Sequence, residues 1–231
     1  MRLRHVAVEG PIGVGKTTLA RRLAAHWDTR LVLEQPVRNP FLAAFYEQMA
    51  ERGTVRGNPA ALRTQLGFLF DRADQLAELE QQGLFELGVV SDFMFAKDAI
   101  FALLTLGDED LALYRQVYRR HAAQAPEPDL VIWLQAEPDT LLARVRHRDR
   151  PMERRLGEPY LRALSDAYHR YFASHRGAPV LAVNTEAFHP SEEPRDFEQL
   201  LGCIERFEGP FEFLDPPDPP ERQPVFRTGR P

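Results

Sequence analysis

The 231-residue chain has a single cysteine, Cys203. That excludes an internal disulfide and any cysteine-built metal cluster, and makes a reducing cytoplasm the expected setting. No apolar run approaches the roughly 20 residues that cross a bilayer as a helix. The first apolar stretch is short and runs straight into Glu9-Gly10, so neither a membrane segment nor a secretory signal is expected. Positive charge is also short: the formal net charge is −5, which argues against a broad nucleic-acid surface. Seven histidines show no metal-ligand spacing, and no segment repeats. Lysine is the scarcest charged residue, since only Lys16 and Lys97 stand among 29 basic residues. A GC-rich coding sequence is the plain account of the arginine excess. The two lysines then mark places where a compact ammonium does not exchange for a planar guanidinium.

What is present is a globular composition, 44% hydrophobic and 27% charged, sized for one domain with a short appendage. Apolar runs bounded by turn residues predict strands near residues 3–9, 31–33, 87–91, 130–134 and 180–183. Helical periodicity fills the intervals, near 16–27, from Pro40 onward, 59–82, 94–106, 109–123, 138–150, 158–175 and 194–207. Strands alternating with helices predict an α/β fold: a doubly wound, five-stranded parallel sheet flanked by helices. Gly209 to Pro231 holds seven prolines and is expected to be an irregular tail following a domain of residues 1–208.

Gly10-Pro-Ile-Gly13-Val14-Gly15-Lys16-Thr17 fits G-x-x-x-x-G-K-[ST] between a predicted strand and a predicted helix, the context that motif needs. Glycines let successive backbone N–H groups converge on phosphate oxygens, and the positive helix end faces the same anion. Lys16 is expected at the terminal phosphates and the Thr17 hydroxyl at Mg²⁺. A nucleoside triphosphate is therefore the expected ligand, with the acceptor still open.

Other clusters narrow the acceptor. Glu34 stands just past the second strand, on the crevice side of a doubly wound sheet, where a hydroxyl acceptor needs a proton-accepting carboxylate. Gln65 and Arg72 lie seven residues apart and hence on one helix face. Glutamine offers a donor and an acceptor to a base edge. Arg144, Arg146, Arg148 and Arg150 crowd one helix end, more cations than a helix dipole asks for, and guanidinium groups suit a transferring phosphoryl. Asp92 ends the third strand and is a second candidate for Mg²⁺.

The run Glu9 to Thr18, the segment Glu34-Gln-Pro-Val-Arg-Asn-Pro-Phe-Leu42 with Phe45-Tyr46, the Gln65 and Arg72 pair, Ser91 to Ala102, and Arg144 to Leu161 together resemble the deoxynucleoside kinases. The bacterial deoxyadenosine/deoxyguanosine kinase branch is the nearest likeness, and it extends to about residue 190. The resemblance implies a P-loop kinase fold with an arginine-rich lid at about 144–157. It implies transfer of the γ-phosphate of ATP to the 5′-hydroxyl of a deoxynucleoside in nucleotide salvage, purine or deoxycytidine being favoured over thymidine. It puts the catalytic base at Glu34, base reading at Gln65, and base selection at Arg72 with an aspartate, here Asp98, shifted by one residue from the family position and expected to face the base. Tyr46 and Glu153 fall at the sugar 3′-hydroxyl, and Arg144, Arg148 and Arg150 at lid positions, Arg146 having no counterpart. Thr18 joins the phosphate loop, and Phe188 falls where the donor adenine packs. A homodimer is implied, with Phe- and Leu-rich helices at 68–79 and 94–106 as candidate interfaces.

One departure stands out. The Glu-Arg-Ser pattern after the third strand is Ser91-Asp92-Phe93 here, and Lys97 occupies the position of the base-reading aspartate, with Asp98 beside it. Lys97 is expected to replace the lost arginine, on Glu34 or on the phosphate. Two other functions stay open: a thymidylate-kinase-like nucleotide kinase, suggested by Phe68-Leu-Phe-Asp-Arg72-Ala-Asp, and a non-catalytic, regulatory NTP-binding module.

Overall fold

The computed structural model describes residues 3–81, 83 and 87–215. The chain runs β1 (His5–Glu9), α1 (Lys16–Trp27), β2 (Arg30–Val32), α2 (Leu42–Arg52), α3 (Ala61–Gln81), β3 (Val89–Ser91), α4 (Lys97–Thr105) and α5 (Asp108–Ala122). It continues with β4 (Leu130–Gln135), α6 (Pro138–Arg148), α7 (Glu158–Ala173), β5 (Val180–Asn184), α8 (Pro194–Arg206) and β6 (Phe211–Leu214). The sheet has the order β2-β3-β1-β4-β5-β6 and every pairing is parallel. Apolar side chains fill both of its faces: β1 is buried along its whole length, and β4 along all but its last residue. Parallel strands covered on both sides read as continuous apolar runs, which is why the sequence shows them without alternation. Because all strands point one way, the segments leaving β1, β2 and β3 emerge at one edge. That edge is where an open α/β sheet forms its crevice.

The sheet has six strands, not the expected five. β6 falls inside the segment expected to be an irregular tail. Its prolines misled: Phe211-Glu-Phe-Leu214 is itself proline-free, and an edge strand needs a partner on one side only. β5 supplies it, and Val180 N–H donates to the Pro210 carbonyl at 3.0 Å. The remaining part of the expected tail, 216–231, and residue 82 of the expected third long helix lie outside the described residues.

Two helix starts also shift. α2 begins at Leu42 and not at Pro40, because the Asn39 side chain accepts from Phe41 N–H and donates to the Thr64 carbonyl, making a turn instead. α4 begins at Lys97 and not near residue 94, because Met94 N–H donates to a carboxylate oxygen of Glu9 at 2.9 Å. No helix among the described residues is long and apolar enough to cross a membrane.

β6 gives the first test. A chain ending at Gly209 loses its ladder and the packing of Leu214, and should be about 1–3 kcal/mol less stable than one ending at Asp215. Equal denaturation midpoints for the two would show that the sheet is complete at β5.

Candidate active site

The loop from Gly10 to Gly15 turns between β1 and α1, and its glycines are required by geometry. Gly10 has φ +143° and Gly13 φ +88°. A Cβ at Gly10 would sit 2.4 Å from the Leu134 carbonyl oxygen, and one at Gly13 would sit 2.8 Å from that of Leu141. Gly15 also has positive φ, Val14 is buried behind the loop, and Thr18, the third residue of α1, is exposed. Lys16 donates from Nζ to the carbonyls of Gly10 and Pro11 at 2.8 and 2.9 Å. Burial, then the charge of Lys97, holds the Lys16 pKa down at about 8. A phosphate oxygen here would meet a lysine, a hydroxyl and the N-terminal end of a 12-residue helix.

Two strand-end carboxylates brace this loop. Glu9, fully buried, accepts from Gly10 N–H at 2.9 Å, Met94 N–H at 2.9 Å and the Tyr168 hydroxyl at 2.7 Å. Asp92 accepts from Thr17 Oγ1 at 2.5 Å and from Glu34 N–H at 2.7 Å. The loop after β2 is thereby tied to the phosphate loop.

Lys16, Thr17, Glu34, Tyr46, Gln65, Arg72, Asp92, Lys97, Arg148, Arg150 and Glu153 all line one cavity of about 210 Å³. These residues come from elements far apart in the chain, and the structure brings them together. Glu34 sits between two cations: Lys97 Nζ lies 2.7 Å from one carboxylate oxygen, and Arg72 Nη2 holds the other. Burial would raise the Glu34 pKa, but Lys97 and Arg72 outweigh it and hold the group at about 2. Lys97 is raised: burial opposes its charge, and Glu34 more than restores it.

At the far side of Arg72, Nη1 lies 2.6 Å from Asp98. Asp98 is fully enclosed and is not a wall of the cavity. The expectation that Asp98 faces a base is therefore corrected: position 98 points from the first turn of α4 back to α3, and only Arg72 reaches the cavity. Burial pushes the Asp98 pKa up to about 6, with Arg72 pulling the other way. Gln65 is buried on the same face of α3.

Among the residues expected to form a lid, Arg148 and Arg150 converge on Glu153, the second at 3.7 Å. Burial first, then Tyr160 and Glu153, raises the Tyr46 pKa well above the usual phenol value. Arg144 does not reach the cavity: it donates to the Thr185 hydroxyl at 3.0 Å and the Thr185 carbonyl at 2.7 Å. Phe188 belongs to the core, at 2% exposure. The expectation, implied by the family resemblance, that this ring packs on the donor adenine is corrected, because the side chain is enclosed in the main apolar core. Sequence reasoning missed Glu9 and Tyr160, which also lines the cavity. A glutamate closing an otherwise apolar strand was the available signal for Glu9. Tyr160 had none.

The Arg72 pairings generate a prediction. Arg72→Met leaves Asp98 buried without its cation and should cost about 3–5 kcal/mol in chemical denaturation. Adding Asp98→Asn should recover much of the loss; if the double variant is no more stable than the single, the pair is not coupled.

Comparisons with known proteins bear on the same residues. The family model described as Deoxynucleoside kinase matches residues 6–207. A deoxyguanosine kinase of Bacillus subtilis is 32% identical over 164 residues, covering 71% of this chain and 75% of that protein. A deoxyadenosine kinase of Dictyostelium discoideum is 28% identical, covering 94% and 84%. Among solved structures, a deoxyadenosine kinase from M. mycoides with products dCMP and dCDP bound shares the fold at TM-score 0.72, with 19% identity and 88% and 100% of the two chains covered. The match spans the phosphate loop, the doubly braced Glu34 segment and the lid alike, and by it this chain belongs to the deoxynucleoside kinase family.

Proposed function

We propose that the enzyme transfers the γ-phosphate of ATP to the 5′-hydroxyl of a deoxynucleoside, as a step of nucleotide salvage in the cytoplasm. The observation that carries this reading is the single cavity in which phosphate-loop residues, a carboxylate and a base-sized polar pair meet. Lys16 and the α1 N-terminus would hold the β- and γ-phosphates. Glu34 would accept the proton of the 5′-hydroxyl as its oxygen attacks phosphorus and ADP leaves. Arg148 and Arg150 would neutralise the equatorial oxygens, and Arg144 would join them if the lid turns it away from Thr185. Glu153 and Tyr46 would take the sugar 3′-hydroxyl, and Gln65 and Arg72 the base.

Mg²⁺ fits the donors at hand. Thr17 Oγ1 and Asp92 Oδ2 are hard oxygens 2.5 Å apart at the cavity wall, the ligand type this ion takes alongside substrate phosphates. When bound it would neutralise charge between the β- and γ-phosphates.

The nucleotide-kinase alternative needs Arg72 to grip an acceptor phosphate. Its guanidinium is already engaged by Glu34 and Asp98, which favours an uncharged acceptor. The homodimer implied by the family resemblance remains part of this reading, with α3 and α4 as its surface; Phe70 and Leu103 are exposed there.

Turnover of deoxynucleosides against their 5′-monophosphates with ATP and Mg²⁺ tests the reading, and preferred use of a monophosphate would overturn it. Glu34→Gln keeps shape and removes the base, so kcat should fall about 10²-fold or more. A kcat near wild type would remove Glu34 from the chemistry. Deoxyadenosine, deoxyguanosine or deoxycytidine should show higher kcat/KM than thymidine, the preference that the family resemblance at Gln65 and Arg72 implies. Thymidine ranking first would refute that base assignment.

A further inference from the structure

Lys97 stands where a cation is costly. It is the first residue of α4, at the positive end of the helix, and its side chain is 5% exposed. It is also one of two lysines in a chain that otherwise uses arginine, and the other, Lys16, lines the same cavity. The Lys97 ammonium reaches Glu34 at 2.7 Å and is near enough to Lys16 to lower its pKa. The same ammonium lies over the Phe101 ring, 5.7 Å from its centroid. Both oxygens of Glu34 are thus occupied by cations, Lys97 on one and Arg72 on the other. A carboxylate so held is a weak proton acceptor. Of its two partners, Arg72 is anchored at its far side by Asp98, whereas Lys97, a point charge on a flexible stem, has Glu34 as its one hydrogen-bond partner among the described residues.

We propose that Lys97 is the displaceable partner and positioning residue of Glu34. Its ammonium aims the carboxylate before the triphosphate arrives and then passes to a phosphoryl oxygen beside Lys16. That leaves one Glu34 oxygen free for the 5′-hydroxyl proton while Arg72 keeps the carboxylate in place. The step balances: the proton moves to Glu34, the 5′-oxygen–phosphorus bond forms, and the bond to the β-phosphate oxygen breaks with its electron pair leaving on ADP. The inference rests on the nucleoside-kinase reading for its last step only. Lysine suits this role because a compact ammonium can change partners within the cavity, while a fork would stay bidentate on the carboxylate. Lys97 of α4, Arg72 of α3 and Lys16 of α1 act on the Glu34 carboxylate; Tyr46 of α2, Tyr168 of α7 and Asp98 of α4 feel its charge, while Asp98 also acts on Arg72 and Glu9 on Lys97.

The test follows the Glu34 carboxyl by carbon-13 NMR in protein labelled at glutamate, with and without Mg²⁺ and the β,γ-imido analogue of ATP. In wild type the analogue should raise the Glu34 pKa by about one unit or more, as a cation leaves it. In Lys97→Met, whose thermal unfolding checks that it is folded, the pKa should start higher and respond less to the analogue. With deoxynucleoside and ATP, Lys97→Met should lose about tenfold or more in kcat with a smaller change in KM. Lys97→Arg should keep the low pKa yet fall short of wild-type kcat. An identical Glu34 titration in wild type and Lys97→Met, or an equal analogue-induced rise in both, overturns the proposal. So does full kcat in Lys97→Met or in Lys97→Arg. If wild type titrates as stated but phosphorylates no deoxynucleoside, the nucleoside-kinase reading fails and the Lys97 exchange stands.

Discussion

Two carboxylates and two cations share the space between α3, α4 and the loop after β2. Glu34 and Asp98 balance Arg72 and Lys97, and three of the four residues are less than 5% exposed. An unpaired charge in such surroundings costs several kcal/mol, so none of the four is stable there alone. The cluster therefore fixes three elements relative to one another. α3 contributes Arg72 to both carboxylates, α4 contributes Lys97 and Asp98 from adjacent positions, and the β2 loop has to bring Glu34 to meet them. The acceptor side of the cavity inherits its geometry from this neutral group.

Strand-end carboxylates extend that order to the phosphate side. Glu9 joins the first glycine of the phosphate loop to the entry of α4 and to α7. Asp92 joins Thr17 to the backbone of Glu34. Both act by accepting hydrogen bonds on their carboxyl oxygens, each from partners on more than one element. The arginine cluster at the end of α6 is held differently. Arg148 and Arg150 keep a third to a half of their side chains exposed and converge on Glu153 alone. Few buried contacts hold this end of α6, the condition under which a segment can move without unfolding the sheet. A rigid acceptor wall beside a loosely held set of guanidinium groups suits a reaction that depends on positioning and charge rather than covalent chemistry.

The phosphate loop, the parallel α/β class and the shared face of Gln65 and Arg72 were all legible in the chain. Each is a local matter, a spacing of four, seven or eight residues, and local spacing survives whatever the rest of the fold does. Glu34 was legible as well, because a parallel sheet sends every strand end to the same edge. β6 was not, since its stability comes from β5 some 30 positions earlier and from nothing in its own proline-flanked residues. Asp98 and Phe188 looked like walls of ligand sites, but Asp98 pairs with Arg72 of α3 and Phe188 is enclosed in the core. Arg144 is spaced like its lid neighbours, yet Thr185, 41 residues on, holds it.

By itself the sequence determined which chemistry is present: a phosphate-loop motif, a carboxylate, a polar pair on one helix face and a set of arginines. The tertiary structure decided who pairs with whom. Lys97 and Glu34 are 63 residues apart, and Tyr168 and Glu9 are 159 apart. Pairing over such distances depends on where helices pack against a sheet, and that is set by the whole buried surface rather than by any window of the chain.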